Sequence, residues 1–475
     1  MNHKLLAAFA ALCISTASGA ADQPGTRPSD RKAREIFEKV ISIPTELGRG
    51  KVPEMAEYLA GELRAAGFPA EDVQVVPYKF ASDSTAVLVV RYRGEGQGKN
   101  KDGRKPIVVM AHMDVVTARR EEWERDPYQL VEENGFFYGR GTADIKSGVA
   151  GLAATFIRLR QEGFKPSRDL IIYFSGDEET AQETTVVTVR DHRDLIDAEY
   201  ALNSDAGGGV LDDDTGKPLF YSLQAAEKTY ADFTLTAHNP GGHSSQPRPD
   251  NAIYDLATAL GKVQAYAFPV MSNDITIASF RAAGKTTPGE LGAAMTKFAA
   301  DPNDAAAAAV ISKHPAVIGQ IRTTCVATLL EGGHATNALP QTAKANVNCR
   351  IFPGVKVADV QAKLQELVGS GVEVKELGKA MSSDASPLRN DVFSAVTRVV
   401  QKLHPGVPVV PDQASGATDG LVFRAAGIPT YGVSGIFMRP KDDFSHGLNE
   451  RIPVDGFYSS LDHWYLLLKD LAGRR

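Results

Sequence analysis

Five side chains that can bind a metal through nitrogen or oxygen stand where apolar runs give way to glycine-rich or acidic turns. They are His112 in MAHMDVV, Asp144 in GRGTADIKSG, Glu179 in SGDEET, Asp205 in LNSDAG and His446 in FSHGLNE. Two imidazoles and three carboxylates are what a pair of zinc ions sharing one bridging carboxylate requires. With no thiolate in the set, Co2+ or Mn2+ could substitute for Zn2+. A metal-bound imidazole needs its second nitrogen fixed, and Asp114 is placed to accept that hydrogen bond from His112. Gly139 and Gly141 let the backbone come close enough for Asp144 to reach two metals. Glu178 and Glu179 are adjacent at a strand end and cannot perform the same task. One can bind metal while the other takes a proton from the water between the metals. An HxD or EE pair alone is weak evidence, whereas all five ligands in strand-end contexts read as a two-metal hydrolase.

The elements that must carry these residues follow from periodicity. Apolar strands are predicted at Val73–Val76, Val87–Tyr92, Ile107–Met110, Leu170–Phe174 and Tyr200–Leu202. Helices are predicted over Asp30–Ile43, from Pro53 to Gly67 and over Ser147–Glu162, with GEGQGKNKDGRK as a solvated loop. Strands alternating with helices give an α/β catalytic domain, a mostly parallel sheet flanked by helices, with its chemistry at the strand ends. The pattern changes near Leu223. Strand Asp232–Ala237, helix Asn251–Val263, strands Ile321–Leu330 and Ala343–Ile351, helix Val357–Val368 and strand Val372–Val374 make the β-α-β-β-α-β order of a ferredoxin-like unit. The α/β signal returns with helix Asn390–Leu403, apolar Ile428–Val433 and helix Phe457–Leu471. The chain therefore divides into a leader at 1–20, a catalytic domain at 28–222 and 379–475, and an inserted α+β domain at 223–378 with a helical elaboration at 268–320.

A length of 475 residues implies more than one core. A net charge of -6 and no dense basic patch give no reason to expect a nucleic-acid partner. Lys4, the apolar run Leu5–Ala17 and the small residues Ser18–Ala20 read as a secretory signal peptide, too short to span a bilayer as a mature helix. Leu12 before Cys13 argues against a lipid anchor, and no later stretch is apolar for long enough to span a membrane. Export is expected, to the periplasm in a Gram-negative source. Cys325 and Cys349 lie in β-like runs, and a disulfide or two buried thiols both remain open. His192, His238, His314, His404 and His463 are read as structural, His334 in GGHATN is undecided because that run lies beside the candidate substrate loop, and Asp212–Asp214 is read as a solvated turn.

The run HMDVV, GRGTADIKSG, GDEET, NSDAG, GGHSS and SHGLNE resembles the di-zinc exopeptidase family of glutamate carboxypeptidase, carboxypeptidase S, aminoacylase, carnosinase and succinyl-diaminopimelate desuccinylase. The resemblance covers nearly the whole mature chain. It implies that His112 and Asp205 hold one zinc, that Glu179 and His446 hold the other, and that Asp144 bridges them. It makes Glu178 the general base and Asp114 the orienter of His112, and it implies a cis peptide between Asp144 and Ile145. It gives His243 in GGHSS the oxyanion, often in a partner subunit's site. Arg350 and Asn337 would hold substrate oxygens, and the Ser415–Asp419 loop, through backbone N–H groups of Ser415 and Gly416 and through Thr418, the substrate carboxylate. An arginine suits a carboxylate because its fork binds two oxygens, the lesser alternative being that Arg350 simply pairs with a carboxylate on the lid. The family cleaves amides next to a free carboxylate or removes N-acyl groups from amino acids, and its inserted domain commonly dimerises. The expected substrate is thus a small peptide or an N-acyl amino acid. The elaboration after Phe268 departs from the minimal lid and could alter the dimer contact. A non-catalytic solute-binding protein on this fold would be expected to have lost Glu178 or a ligand, and none is missing.

Overall fold

Four parallel strands form the spine of the larger of two main sheets: Leu170–Ser175, Ile107–His112, Tyr200–Asn203 and Thr430–Gly432, side by side in that order. The computed structural model describes residues 25–80, 83–95 and 104–474. The expected leader at 1–20, Cys13 and most of the insert GEGQGKNKDGRK lie outside the described residues. Every residue of Ile107–His112 and Leu170–Ser175 is buried, as expected where helices cover both faces of a parallel sheet. One face packs under the helices Pro28–Ile41, Val52–Ala65, Lys146–Gln161, Asn390–Leu403 and Val454–Ala472. The other meets Phe423, Ile428 and Ile196. Among the described residues no helix is long and apolar enough to cross a membrane.

The sheet is mixed rather than uniformly parallel. Ser84–Tyr92 joins Leu170–Ser175 antiparallel, and Val73–Lys79 joins Ser84–Tyr92 the same way. A hairpin of Gly208–Leu211 with Pro218–Glu227 extends the other edge, where Val409–Ala414 and Phe437–Met438 add parallel pairs. The chain leaves this sheet at Glu227, later than the change of pattern near Leu223, because the half-buried strand Pro218–Glu227 ends in the fully buried run Leu223–Glu227.

A second, all-antiparallel sheet begins at Thr229. Its order is Thr324–Gly332, Thr342–Ile351, Thr229–His238, Val372–Leu377, with helices Ala252–Ala265 and Val357–Val368 on one face. This is the expected ferredoxin-like unit. Cys325 and Cys349 are direct partners in its register with Cα atoms 4.1 Å apart, and they form a disulfide, which resolves the alternative left open by sequence. Four further helices between Asp274 and Ile318 have their own core of Phe280, Met295, Phe298 and Ile311. They attach to the large sheet, since Ile275 enters its core and Asn273 Nδ2 donates to Gln413 Oε1 at 2.8 Å. The outer edge of Thr324–Gly332 therefore stays open, with Val326, Leu329 and Leu330 59%, 69% and 70% exposed.

Candidate metal centre and substrate site

All three of the parallel strands that bear ligands end at one rim. His112 is the last residue of its strand, Asp205 follows Tyr200–Asn203 by two positions, and Glu178 and Glu179 follow Leu170–Ser175. That rim is the crevice at the carboxyl ends of the strands. Asp144 arrives on the loop after Phe136–Tyr138. Gly141 there has φ 87°, and a Cβ would lie 2.9 Å from both Lys146 and Val115. His446 sits in a turn closed by Gly447 N–H to Phe444 O, itself in the left-handed region at φ 63°. For a histidine that conformation costs about 1–3 kcal/mol and is tolerated where surroundings enforce it.

The five residues converge. His112 Nε2 lies 2.9 Å from Asp144 Oδ1 and 3.7 Å from Asp205 Oδ1. His446 Nε2 lies 3.0 Å from Asp144 Oδ2 and 2.9 Å from Glu179 Oε2. Two groups result, His112–Asp144–Asp205 and Asp144–Glu179–His446, each with ligand atoms within 4.8 Å of one another and with Asp144 common to both. The peptide joining Asp144 to Ile145 is cis.

The electrostatics fit cations at this position. Burial pushes Asp205 up to about 7, and Asp144 and Glu179 add to the shift. Burial also raises Glu178 well above the usual range, with Asp205, Asp419 and Asp114 reinforcing it against His112. For Asp144, burial is outweighed by hydrogen bonds from His112 and His446, so it stays below the ordinary value. His446 is raised to about 10 by Asp144 and Glu179, while His112 rises well above its normal value because Asp205, Asp114 and Asp144 together exceed the opposing effect of burial. Carboxylates this crowded ionise together only beside compensating positive charge. Two metal ions would supply it, displacing the protons that the imidazoles otherwise retain.

Asp114 behaves differently from the simplest expectation. His112 Nδ1 is 3.0 Å from the Asp114 backbone carbonyl and 3.5 Å from its carboxylate. The carboxylate instead accepts the N–H groups of Glu178 and Glu179, at 3.1 and 2.9 Å. It thus fixes the backbone of Glu178 and Glu179 as well as facing the histidine. Glu178 Oε1 accepts from Gln182 Nε2 at 2.9 Å.

Two residues without an assigned role in the sequence reading organise this rim. The buried Glu450 carboxylate accepts the N–H groups of Gly141, Ala143 and Asp144 at 3.0, 2.7 and 3.0 Å. It also accepts from Arg140 Nη1 at 2.6 Å, and Arg140 Nη2 reaches the His446 carbonyl at 3.4 Å. The signal for them in sequence is a lone charge inside a tight motif: Arg140 between two glycines, Glu450 closing the run that holds His446.

The remaining expected residues form two further groups. Arg350 Nη1 donates to Ser415 O at 3.2 Å, which joins the inserted sheet to the exposed Ser415–Gly416 loop. Thr418 does not present its hydroxyl to that loop. Its Oγ1 donates to buried Glu227 at 2.6 Å and its N–H to the same carboxylate at 3.2 Å, because Glu227, ion-paired with Arg424, lies directly beneath. His243 and Asn337 share a short ribbon, in which Gly242–His243 pairs with Ala338–Leu339 and Ser244 N–H donates to Asn337 O. The exposed His243 imidazole meets Ser245 Oγ at 2.8 Å. Among the histidines read as structural, His463 is buried against Tyr221, and burial holds it down at about 3. Asp212 closes a turn with Thr215.

A profile of peptidase family M20/M25/M40 matches residues 108–470, a stretch containing every residue of the metal cluster. The chain belongs to that family. It is 29% identical over 375 residues to the N-fatty-acyl-amino acid synthase/hydrolase PM20D1 of Xenopus tropicalis, covering 77% of this chain and 72% of that one. It is 24% identical to Aminoacylase-1 of Homo sapiens, covering 92% and 94%. The M20 metallo-carboxypeptidase Sso-CP2 of Sulfolobus solfataricus shares the fold, with a TM-score of 0.68 at 18% identity over 92% of this chain and 98% of that one. The M20 protein is a hydrolase of the metallopeptidase and amidohydrolase class, in a family that binds dinuclear metal centres.

Proposed function

We propose that this M20 protein is an exported di-zinc hydrolase that cleaves an amide bond adjoining a free carboxylate, as a carboxypeptidase or dipeptidase does. The observation that carries the reading is Asp144, whose two oxygens face His112 and His446 in two candidate ligand groups that leave Glu178 out. His112 and Asp205 would hold one zinc ion, Glu179 and His446 the other, and Asp144 both. When bound, the pair supplies Lewis acidity to a carbonyl and to water. Glu178 takes the proton of the attacking water on its carboxylate and delivers it to the departing amide nitrogen. Asp114, by gripping the N–H groups of Glu178 and Glu179, keeps base and ligand from exchanging places. Arg350, the Ser415–Gly416 backbone and Asn337 take the substrate's free carboxylate or carbonyl oxygens, and His243 meets the oxyanion.

Removal of an N-acyl group from an amino acid is the second reading, favoured by a cavity of about 370 Å³ against the metal ligands. Asp144 and Asp205 are among its lining residues beside Arg439 and Asp443, and Val210, Ile436, Met438 and Ile452 add apolar lining that an acyl chain could meet. Hydrolysis of a panel of dipeptides and N-acyl amino acids, with and without added zinc, tests both. No turnover of either class by metal-loaded enzyme would refute them.

The signal-peptide pattern of residues 1–20 supports the proposed export, and fractionation of the host cell tests it. Dimerisation through the inserted domain is supported by the open edge of Thr324–Gly332, where Val326, Leu329 and Leu330 are exposed. Two such edges related by a twofold axis would pair antiparallel and cover both apolar patches. Light scattering should give twice the chain mass and Leu330→Glu should halve it. A monomeric parent would overturn this.

A further inference from the structure

Each of the three carboxylate ligands has its own backbone N–H held by a buried side chain. Glu450 accepts that of Asp144 at 3.0 Å, Asp114 that of Glu179 at 2.9 Å, and Asn203 Oδ1 that of Asp205 at 3.0 Å. Asn203 differs in kind, since an amide stands where the other two are carboxylates. It is 2% exposed and ends the strand Tyr200–Asn203. An amide can turn either of its ends toward the Asp205 N–H, and only its oxygen accepts. Whatever fixes that choice fixes the bond.

Thr418 fixes it. Its Oγ1 accepts from Asn203 Nδ2 at 3.0 Å and from the Gly420 N–H at 3.0 Å, and donates to Glu227 Oε1 at 2.6 Å. A hydroxyl has one proton, and Gly420 offers it only an N–H, so the proton goes to the Glu227 carboxylate. Asn203 must then present its NH2 to Thr418, which leaves its oxygen for Asp205. Glu227 is itself held, by Arg424 Nη2 at 2.6 Å and Gln224 Nε2 at 3.0 Å. The chain Glu227–Thr418–Asn203–Asp205 thus runs in one direction throughout, and Glu227, Thr418 and Asn203 are all buried. It keeps the anchorage of a carboxylate but places the charge beside Arg424 rather than beside Asp205, which Asp144 and Glu179 already crowd.

We propose that Asn203 and Thr418 are positioning residues for the metal ion that His112 and Asp205 would hold, Thr418 orienting the amide and the amide aiming Asp205 through its backbone. Thr418 therefore serves the metal from within the loop proposed to read substrate, and does not touch the substrate itself. Glu179 and His446 lie outside this chain, held instead through Asp114 and through the turn closed by Gly447 N–H on Phe444 O. The inference rests on the ligand assignment given under the proposed function.

The test measures the zinc affinity of the full-length protein by competition with a chromophoric chelator. The parent should bind two ions, and Thr418→Val should release one of them where the parent keeps both. His446→Ala and Asp205→Ala identify which, since the first leaves the group His112–Asp144–Asp205 and the second leaves Asp144–Glu179–His446. Thr418→Val keeps the volume and leaves Glu227 paired with Arg424. It should weaken zinc about 10- to 100-fold in the His446→Ala background, the range for outer partners of ligands, and change it little in the Asp205→Ala background. Thr418→Ser should restore the affinity. Asn203→Ala should reproduce the site-selective loss even where Thr418→Val fails to fold. KM of Thr418→Val for the best substrate of the panel, measured with metal in excess, should be unchanged. Loss of both ions together or equal weakening in both backgrounds would reduce the chain to a structural one, and a raised KM with zinc affinity intact would return Thr418 to the substrate. Either result, or unchanged zinc affinity in every variant, would overturn the proposal. A parent that binds no zinc would refute the di-zinc reading itself, before either residue is changed, and this proposal with it.

Discussion

At the rim of the large sheet the polar residues are held several times over, whereas those on the inserted domain are held once. Asp144 meets two imidazoles and has its N–H fixed by Glu450, and Asp114 grips two successive N–H groups. On the inserted domain His243 hydrogen-bonds within its own turn, and Arg350 has one carbonyl and one ring. The difference separates two tasks. Metal ions tolerate little error in ligand position, so their site is preorganised by buried hydrogen bonds. Groups proposed to read substrate must let it enter and then close on it, which calls for a lightly held face.

The largest effect should come from emptying the rim. Chelation should abolish hydrolysis, zinc should restore it, and the melting temperature should fall as the metal leaves. A ligand at 1,000 times its dissociation constant stabilises by about 4 kcal/mol. Full activity in protein shown to be metal-free by elemental analysis would break the comparison, because the preorganised half would then be serving no metal.

Next is Glu178→Gln, which keeps the volume and removes the proton acceptor. Turnover should fall by about 10²–10⁴-fold while metal content stays near that of the parent. Loss of zinc instead, measured on the same sample, would mean that the roles of Glu178 and Glu179 are exchanged.

The same division explains what could be read without coordinates. His112, Glu179 and Asp205 are legible because each sits at or just past the end of an apolar strand, where register and direction leave few places for the side chain, whereas Asp144 and His446 arrive on a loop and a turn and are legible only through their motifs. The ferredoxin-like unit was legible from alternation at strands such as Thr342–Ile351, whose burial alternates residue by residue. The hairpin Gly208–Leu211 with Pro218–Glu227 was missed, since its glycines and Pro218 resemble a loop and its pairing is long-range. The substrate role of Thr418 comes from the resemblance of the Ser415–Asp419 loop to one that faces the substrate's free carboxylate. That its hydroxyl turns inward depends on Glu227, nearly two hundred residues earlier in the chain and invisible to any local pattern. Cys325 and Cys349 illustrate the same limit: their runs suggested neighbouring strands, and only the register brought them into direct opposition.

On the inserted domain, Arg350→Ala and amidation of the substrate's C-terminus should each cost about 2–4 kcal/mol in kcat/KM, as removal of one partner of a buried ion pair does. Together they should cost little more than either alone, because both delete the same pair. Costs that add would place the carboxylate elsewhere and leave Arg350 as the strut that holds the Ser415 loop, which would sharpen the contrast by making even that residue structural.

The smallest of these effects separates holding from reading most cleanly. Glu450→Gln keeps the shape beneath Asp144 but removes the charge opposite Arg140, a residue only 2% exposed. The carboxylate serves three N–H groups with its two oxygens, and an amide offers one oxygen and two donors, so at least one N–H near Asp144 loses its acceptor. The loop should loosen, and metal affinity should fall about 10- to 100-fold, the range for outer partners of ligands. KM for the acid substrate, measured with metal in excess, should be unchanged, since nothing on the inserted domain depends on Glu450. A matched Ser245→Ala, which frees His243, should leave metal affinity alone. If Glu450→Gln shifted substrate KM and spared the metal, the rim would not be organised around its ions, and the two halves would not divide holding from reading as their hydrogen bonds indicate.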